Sequence, residues 1–253
     1  MTRLRPVVSV ALCFLGIPLV AAQEAQPSPS PTPPPPPAWS GAAQVSFLKT
    51  GGNTETSVLG LAVEAKHKGA SPLGVVAKGV VNRGSLAGEE NLRNLLFSLR
   101  VARSFRDRTD LFVEAAYAED IYAGIDSRFG GEVGVSHKLS VSGPHLLSLE
   151  AAAGLVHEVR LPGKATQDFG AARGGLTYKY VISKTADFQN QANFVLNLKT
   201  SDDWRVTNTA ALTAALNSRV SVKLSHAVSH LNTPPLGKKK TDTTVSAALV
   251  AKF

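Results

Sequence analysis

The last thirteen residues of the chain read TDTTVSAALVAKF, 241–253, and they alternate. Val245, Ala247, Leu249, Ala251 and Phe253 fall on one parity, and Thr244, Ser246, Ala248 and Lys252 on the other. Successive side chains of an extended strand point to opposite faces, so the stretch has one apolar face and one mixed face. The period of two starts at Trp39 and recurs to the end. It predicts strands over 39–50, 54–67, 73–83, 91–105, 109–119 and 125–139, then over 145–158, 166–181, 184–199, 203–217, 219–232 and 241–253. Leu59, Leu61, Val63 and Ala65 oppose Gly60, Ala62, Glu64 and Lys66, and Val220, Val222 and Leu224 oppose Ser221, Lys223 and Ser225. No segment has the 3.6-residue period of an amphipathic helix.

Proline placement agrees. A central strand cannot spare an amide, and Pro72, Pro144, Pro162, Pro234 and Pro235 all fall between the expected strands. The stretches TGGNTE, NRGSLAGEE, LSVSGPH, RLPGKA and TPPLGKKK carry turn chemistry.

The fold class follows from what these faces pack against. A tilted membrane strand needs about 9–11 residues, and the expected strands run mostly to 11–16. Their repeated face is light, built from Ala, Gly, Val and Leu. In a bilayer an open edge leaves unpaired backbone in hydrocarbon, so the sheet must close. We therefore expect an all-β, antiparallel transmembrane barrel of about twelve strands, closed by pairing its first and last strands. A soluble barrel or sandwich with the same alternation is the competing architecture. With both termini on the periplasmic side, Trp39, Phe105, Tyr180, Phe188 and Phe253 gather at one rim and Tyr117, Tyr122 and Trp204 at the other. Aromatic rings favour both membrane interfaces.

The beginning of the chain fits export. Arg3 and Arg5 precede the apolar run Val7 to Val20, and Ala21 and Ala22 offer a cleavage site, so residues 1–22 read as a secretory signal peptide. Residues 23–38, QEAQPSPSPTPPPPPA, read as a proline-rich periplasmic spacer, which leaves 39–253 as the barrel domain. Cys13, the single cysteine, lies in the leader, so the mature domain has no disulfide, thiolate nucleophile or sulfur-bound metal. The formal charge is +8, falling to +6 without Arg3 and Arg5. No basic helix or aromatic–basic platform accompanies it, which argues against nucleic acid.

The chain resembles the DUF481 family of salt-induced outer-membrane proteins. The resemblance rests on WSGAAQVSFLKTGGNTETS at 39–57, AYAEDIYAGIDSRFGGEVGVSHKL at 116–139 and SHAVSHLNTPPLGKKKTDTTVSAALVAKF at the end. Within the second stretch Glu119, Asp120, Tyr122, Gly124, Asp126 and Arg128 follow the family's acidic–aromatic–Gly–Asp–Arg pattern. The VAKF ending departs from the family, which more often has an aromatic before its final pair. The resemblance implies an outer-membrane location in a Gram-negative bacterium and a link to salt or envelope stress, without a reaction. A terminal aromatic on an alternating strand is also similar to the signal read by barrel-assembly machinery.

Alternation turns the charges Glu64, Lys66, Lys78, Arg100 and Glu114 into the lumen, together with Arg128, Glu132, Glu150, Arg173 and Lys223. Buried charges must pair or meet water, so the lumen is either a structural ion network or a water-filled pore. With no long loop to serve as a plug, lumen side chains decide between them. The leading expectation is a barrel of unassigned molecular role, with a diffusion channel as the alternative and an enzyme at the external rim as a third. The enzyme candidates are Asp120, Asp126, His157, Asp202, Asp203 and His230, but no nucleophile is arranged with them. Pairing of Asp120 and Asp126 with Arg128 would pin their hairpin. His226 and His230 share the apolar parity, which turns His226 toward lipid. Gly51, Gly52 and Asn53 lack a Walker lysine and read as a hairpin turn. No catalytic, cofactor or metal site is expected. The expected partners are outer-membrane lipids, lipopolysaccharide near Lys238, Lys239 and Lys240, and the assembly machinery. The expected state is a monomer.

Overall fold

Each alternating segment is a strand in the computed structural model, which describes residues 39–253 apart from 51–55, 69–72, 122–123, 141–142, 162, 164 and 235–238. The leader with Cys13, the spacer, the Gly51–Asn53 turn, Tyr122 and Lys238 lie outside the described residues. The strands are β1 (Trp39–Thr50), β2 (Thr56–Lys68), β3 (Leu73–Leu86) and β4 (Glu89–Arg106). They continue as β5 (Thr109–Asp120), β6 (Ile125–Ser140), β7 (His145–Arg160) and β8 (Ala165–Val181). The last four are β9 (Ala186–Asn197), β10 (Trp204–Ala215), β11 (Val220–Leu231) and β12 (Thr241–Lys252).

Each strand pairs antiparallel with its sequence neighbours, and β1 pairs with β12, so the sheet is a closed barrel of twelve strands. The closing register runs from Ala42↔Lys252 to Ser46↔Ala248. Gly41 and Phe253 add two reciprocal backbone hydrogen bonds of 2.9 and 3.0 Å.

The stripe at the end of the chain faces outward. Val245 and Leu249 are 71% and 57% exposed, whereas Ala248 and Val250, on the other parity, are 7% and 9% exposed. The barrel is thus inverted relative to a water-soluble domain. Leu, Val and Phe cover the outside, and most inward long side chains are polar or charged. So much contiguous apolar surface is stable only against lipid. Trp39, Phe105 and Phe253 ring the end at which β1 begins and β12 finishes. Toward the opposite end, Phe97, Tyr117 and Phe129 form one cross-strand row on β4, β5 and β6, and Trp204 stacks on His230 at 5.0 Å.

One hairpin is tighter than its turn residues predict. NRGSLAGEE reads as a broad turn, but β3 continues to Leu86 and β4 starts at Glu89, with a register shift at Gly84/Ser85. The bulge lets the ladder pass through Gly84, so only Ala87 and Gly88 turn, both at positive φ (51° and 86°). A two-residue turn of this kind favours Asn at its first position, since an L-residue with a plain Cβ is strained there. Ala87→Asn is expected to raise stability by about 0.5–1 kcal/mol, read as a higher urea midpoint for the detergent-refolded barrel. An unchanged or lower midpoint would show that the neighbouring strands, rather than the turn residue, set this conformation.

Candidate functional site

Among the described residues, three assemblies of charged side chains stand in the lumen. The first is a band on six successive strands, made by Arg100 (β4), Glu114 (β5), Glu132 (β6), Glu150 (β7), Arg173 (β8) and Asn193 (β9). Arg100 donates from Nε to Glu114 Oε2 at 2.7 Å and from Nη1 to Glu150 Oε1 at 2.7 Å. Arg173 donates from Nη2 to Glu132 Oε1 at 2.6 Å and from Nη1 to Glu150 Oε2 at 3.1 Å. Two of these bonds skip strands. Arg100 reaches from β4 to β7 along a chord of the curved wall, which a flat sheet would not allow.

An aromatic floor holds the band in place. Phe112 is buried, with the Arg100 guanidinium 4.0 Å from its ring centroid and that of Arg173 5.7 Å away. Arginine over an aromatic face gains cation–π attraction as well as packing. The ring occupies space that Gly134 leaves: a β-carbon there would meet Phe112 Cζ at 2.5 Å. Gly175 similarly leaves room for Arg173 Nη1, which a β-carbon would meet at 3.1 Å.

The second assembly sits at the end remote from the termini. Glu158 is fully buried there and accepts from three arginines. Arg128 Nε lies 2.5 Å from Glu158 Oε2, Arg205 Nη1 lies 2.9 Å from the same oxygen, and Arg160 Nε bonds Oε1. Asp203, also buried, takes Arg160 Nη2 at 3.0 Å and Asn197 Nδ2 at 3.0 Å. Thr233 Oγ1 donates to the other Asp203 oxygen at 3.0 Å, and Asn232 Nδ2 bonds the Asp202 carbonyl at 2.9 Å. Two loops are therefore tied to this cluster, and a loop residue, Asp203, helps to fill the lumen. Lumen-facing strand residues alone do not decide its bore.

The third assembly lies on β2 and β3, where Glu64 pairs with Lys66 at 2.7 Å and Lys78 at 3.5 Å. On the far side of β1, Lys223 Nζ on β11 reaches past β12 to Gln44 Oε1 at 3.4 Å.

The candidate residues fall differently from one another. Arg128 and Asp203 enter the Glu158 cluster, where Arg128 pairs with this glutamate on β7. His157 points outward and pairs with Asp168 at 2.6 Å, away from the lumen. His230 is outward too, bonding Thr241 Oγ1 at 2.8 Å and stacking on Trp204. His226 is exposed on the lipid face, opposite Ala210 and Val245. Another polar pair shares that face: Asn190 and Asn208 exchange amide bonds of 3.1 and 3.2 Å. Glu158, Arg160 and Arg205 escaped the sequence reading. Glu158 stands on the parity of Glu150, eight residues on, so the signal was present but hidden beside the turn RLPGKA.

Between the charged band and the opposite wall lies a void of about 830 Å³. It reaches from β2 to β10, with Glu64, Lys78 and Ser98 on one side and Gln189, Gln191 and Thr207 on the other. The arginines of the band and their carboxylates crowd one half of the bore, and the strands of the far wall contribute mainly Ser, Thr, Gln and Ala to the inside, with Lys223 and Lys252 among them.

The family described as "Protein of unknown function, DUF481" matches residues 43–253. Among solved structures, the barrel is similar to an outer membrane channel from Pseudomonas putida F1. The TM-score is 0.55 at 10% identity, covering 85% of this chain and 95% of that one. It is also similar to the NanC porin, with a TM-score of 0.52 at 9% identity, covering 85% of this chain and 98% of that one. At such identities the likeness establishes the fold alone. No curated protein matches the chain.

Proposed function

We propose that this chain, which belongs to the DUF481 family of outer-membrane β-barrel proteins, is a passive diffusion channel for small polar solutes. One observation carries the reading: the void of about 830 Å³ runs beside the ion network instead of being filled by it. Polar side chains stand on both sides of it, interleaved with apolar ones such as Val76, Val80 and Leu96, and a space of this size with polar partners on its walls holds tens of waters. Unfilled apolar space in a barrel would stay dry, but a bore lined by Glu64, Lys78, Gln189 and Thr207 is wetted by its own side chains. The ion network then has a structural task. It stiffens one wall and restricts the passage to the other. In this reading the barrel lies in the outer membrane of a Gram-negative bacterium, delivered by the 1–22 leader and joined to it by the 23–38 spacer. The link to salt or envelope stress that the resemblance implies fits a protein that passes small solutes.

The test is electrical. Purified protein added to a planar bilayer is expected to insert with discrete conductance steps. Proteoliposomes should swell in small sugars and fail to swell as solute size increases. A bilayer that stays silent after confirmed insertion would overturn the reading in favour of a closed structural barrel.

A further inference from the structure

The lumen carboxylates of the two arginine assemblies are consumed by their partners: Glu114, Glu132, Glu150, Glu158 and Asp203 each face at least one guanidinium. The balance differs on the opposite wall. The register places Lys252 opposite Ala42, Ala42 opposite Glu64, and Glu64 opposite Lys78, one row across β12, β1, β2 and β3. Lys66 stands two residues along β2 from Glu64 and shares its carboxylate with Lys78. Lys223, on β11, reaches into the same row from the other side, where its ammonium meets the uncharged Gln44 amide oxygen at 3.4 Å. Four ammonium groups and one carboxylate therefore occupy a continuous arc of five strands, with Glu64, Lys66 and Lys78 on the void itself and Lys252 on a smaller recess beside it. Beside Lys252, in the same recess, Lys179 holds Asp187 at 3.6 Å, so that this pair leaves the balance of the arc unchanged, and Asp242 lies at the far end of β12.

We infer that the passage favours anions, meaning small solutes carrying carboxylate, phosphate or sulfate groups, and that Lys66, Lys78, Lys223 and Lys252 are the groups that attract them. The inference rests on the diffusion-channel reading and adds the sign of the charge that crosses. The physics is field focusing: uncompensated charge beside a water-filled bore with low-dielectric walls raises the local concentration of the opposite ion. One kT of positive potential enriches a monovalent anion about 2.7-fold and depletes a cation equally. The lysine arc lies near the end that carries the termini and the Arg128–Glu158 cluster near the other, so a solute meets the arc after or before a second site rich in arginine.

The experiment measures the reversal potential of wild-type channels in a planar bilayer under a low-salt potassium chloride gradient, where screening is weak. The expected result is a chloride preference on the order of 3- to 10-fold over potassium. Exchanging the four lysines for glutamine should bring the ratio to about one, and exchanging them for arginine should keep it. Steps with potassium preference, or with no preference, would overturn the anion inference and leave the channel reading standing. A silent bilayer would remove the channel reading itself. The wild-type measurement decides the sign even where the fourfold variant fails to refold.

Discussion

Replacing Glu158 with glutamine is expected to lower unfolding free energy by about 3–5 kcal/mol. The substitution keeps the size of the side chain and removes only its charge. Three guanidiniums then share a buried site whose remaining acid is Asp203, which already serves Arg160 and lies 3.7 Å from Arg205. Breaking a buried ion assembly costs more than its formation contributes, because the orphaned charges cannot return to water. Arg128 is least able to adapt, since its Nη2 is already buried without a partner. Urea titration of the detergent-refolded barrel measures the loss. The opposite experiment, Arg128→Gln, should cost less, because Glu158 keeps Arg160 and Arg205. Equal and small effects from both substitutions would mean that water reaches the cluster.

Arg173→Ala tests the wall that borders the void. The substitution frees Glu132 entirely, leaves Glu150 with Arg100, and opens space beside Gly175 and Asn193. The network is partly exposed to the bore, so the stability loss is discounted to about 1–3 kcal/mol. The larger effect is on transport. The conductance step should grow, and selectivity should move toward cations as a bare carboxylate enters the passage. Glu132→Gln in the same background should reverse the change in selectivity without reversing the change in step size. A step size unaffected by Arg173→Ala would place the narrowest point elsewhere.

The strands were open to reading because a barrel wall imposes one rule on every residue. Each inward position is followed by an outward one, and β1 keeps its expected bounds of 39–50. Only features that break the rule were lost. The ladder through NRGSL was hidden by a bulge that local turn chemistry does not distinguish from a loop. Inward charges could be assigned by parity, yet their partners could not. Neighbouring strands would suggest Arg100 with Glu114, but Arg100 also meets Glu150 three strands away because the wall curves. The join between Arg205 on β10 and Glu158 on β7 has the same origin. Curvature belongs to the closed ring and appears in no single stretch of sequence. The size of the void is equally a property of the whole.

The junction of β1 with β12 sets an order of events. Every other ladder joins strands that follow one another in the chain, so each can form as a local hairpin at little cost in loop closure. Gly41 and Phe253, by contrast, meet only when the whole sheet has curled round, and their ladder runs inward no further than Ser46↔Ala248. The rungs nearest the chain ends are thus the last to be laid during assembly. They are also where a destabilised barrel should first come apart, its amides there exchanging with solvent before those of the long β7–β8 ladder.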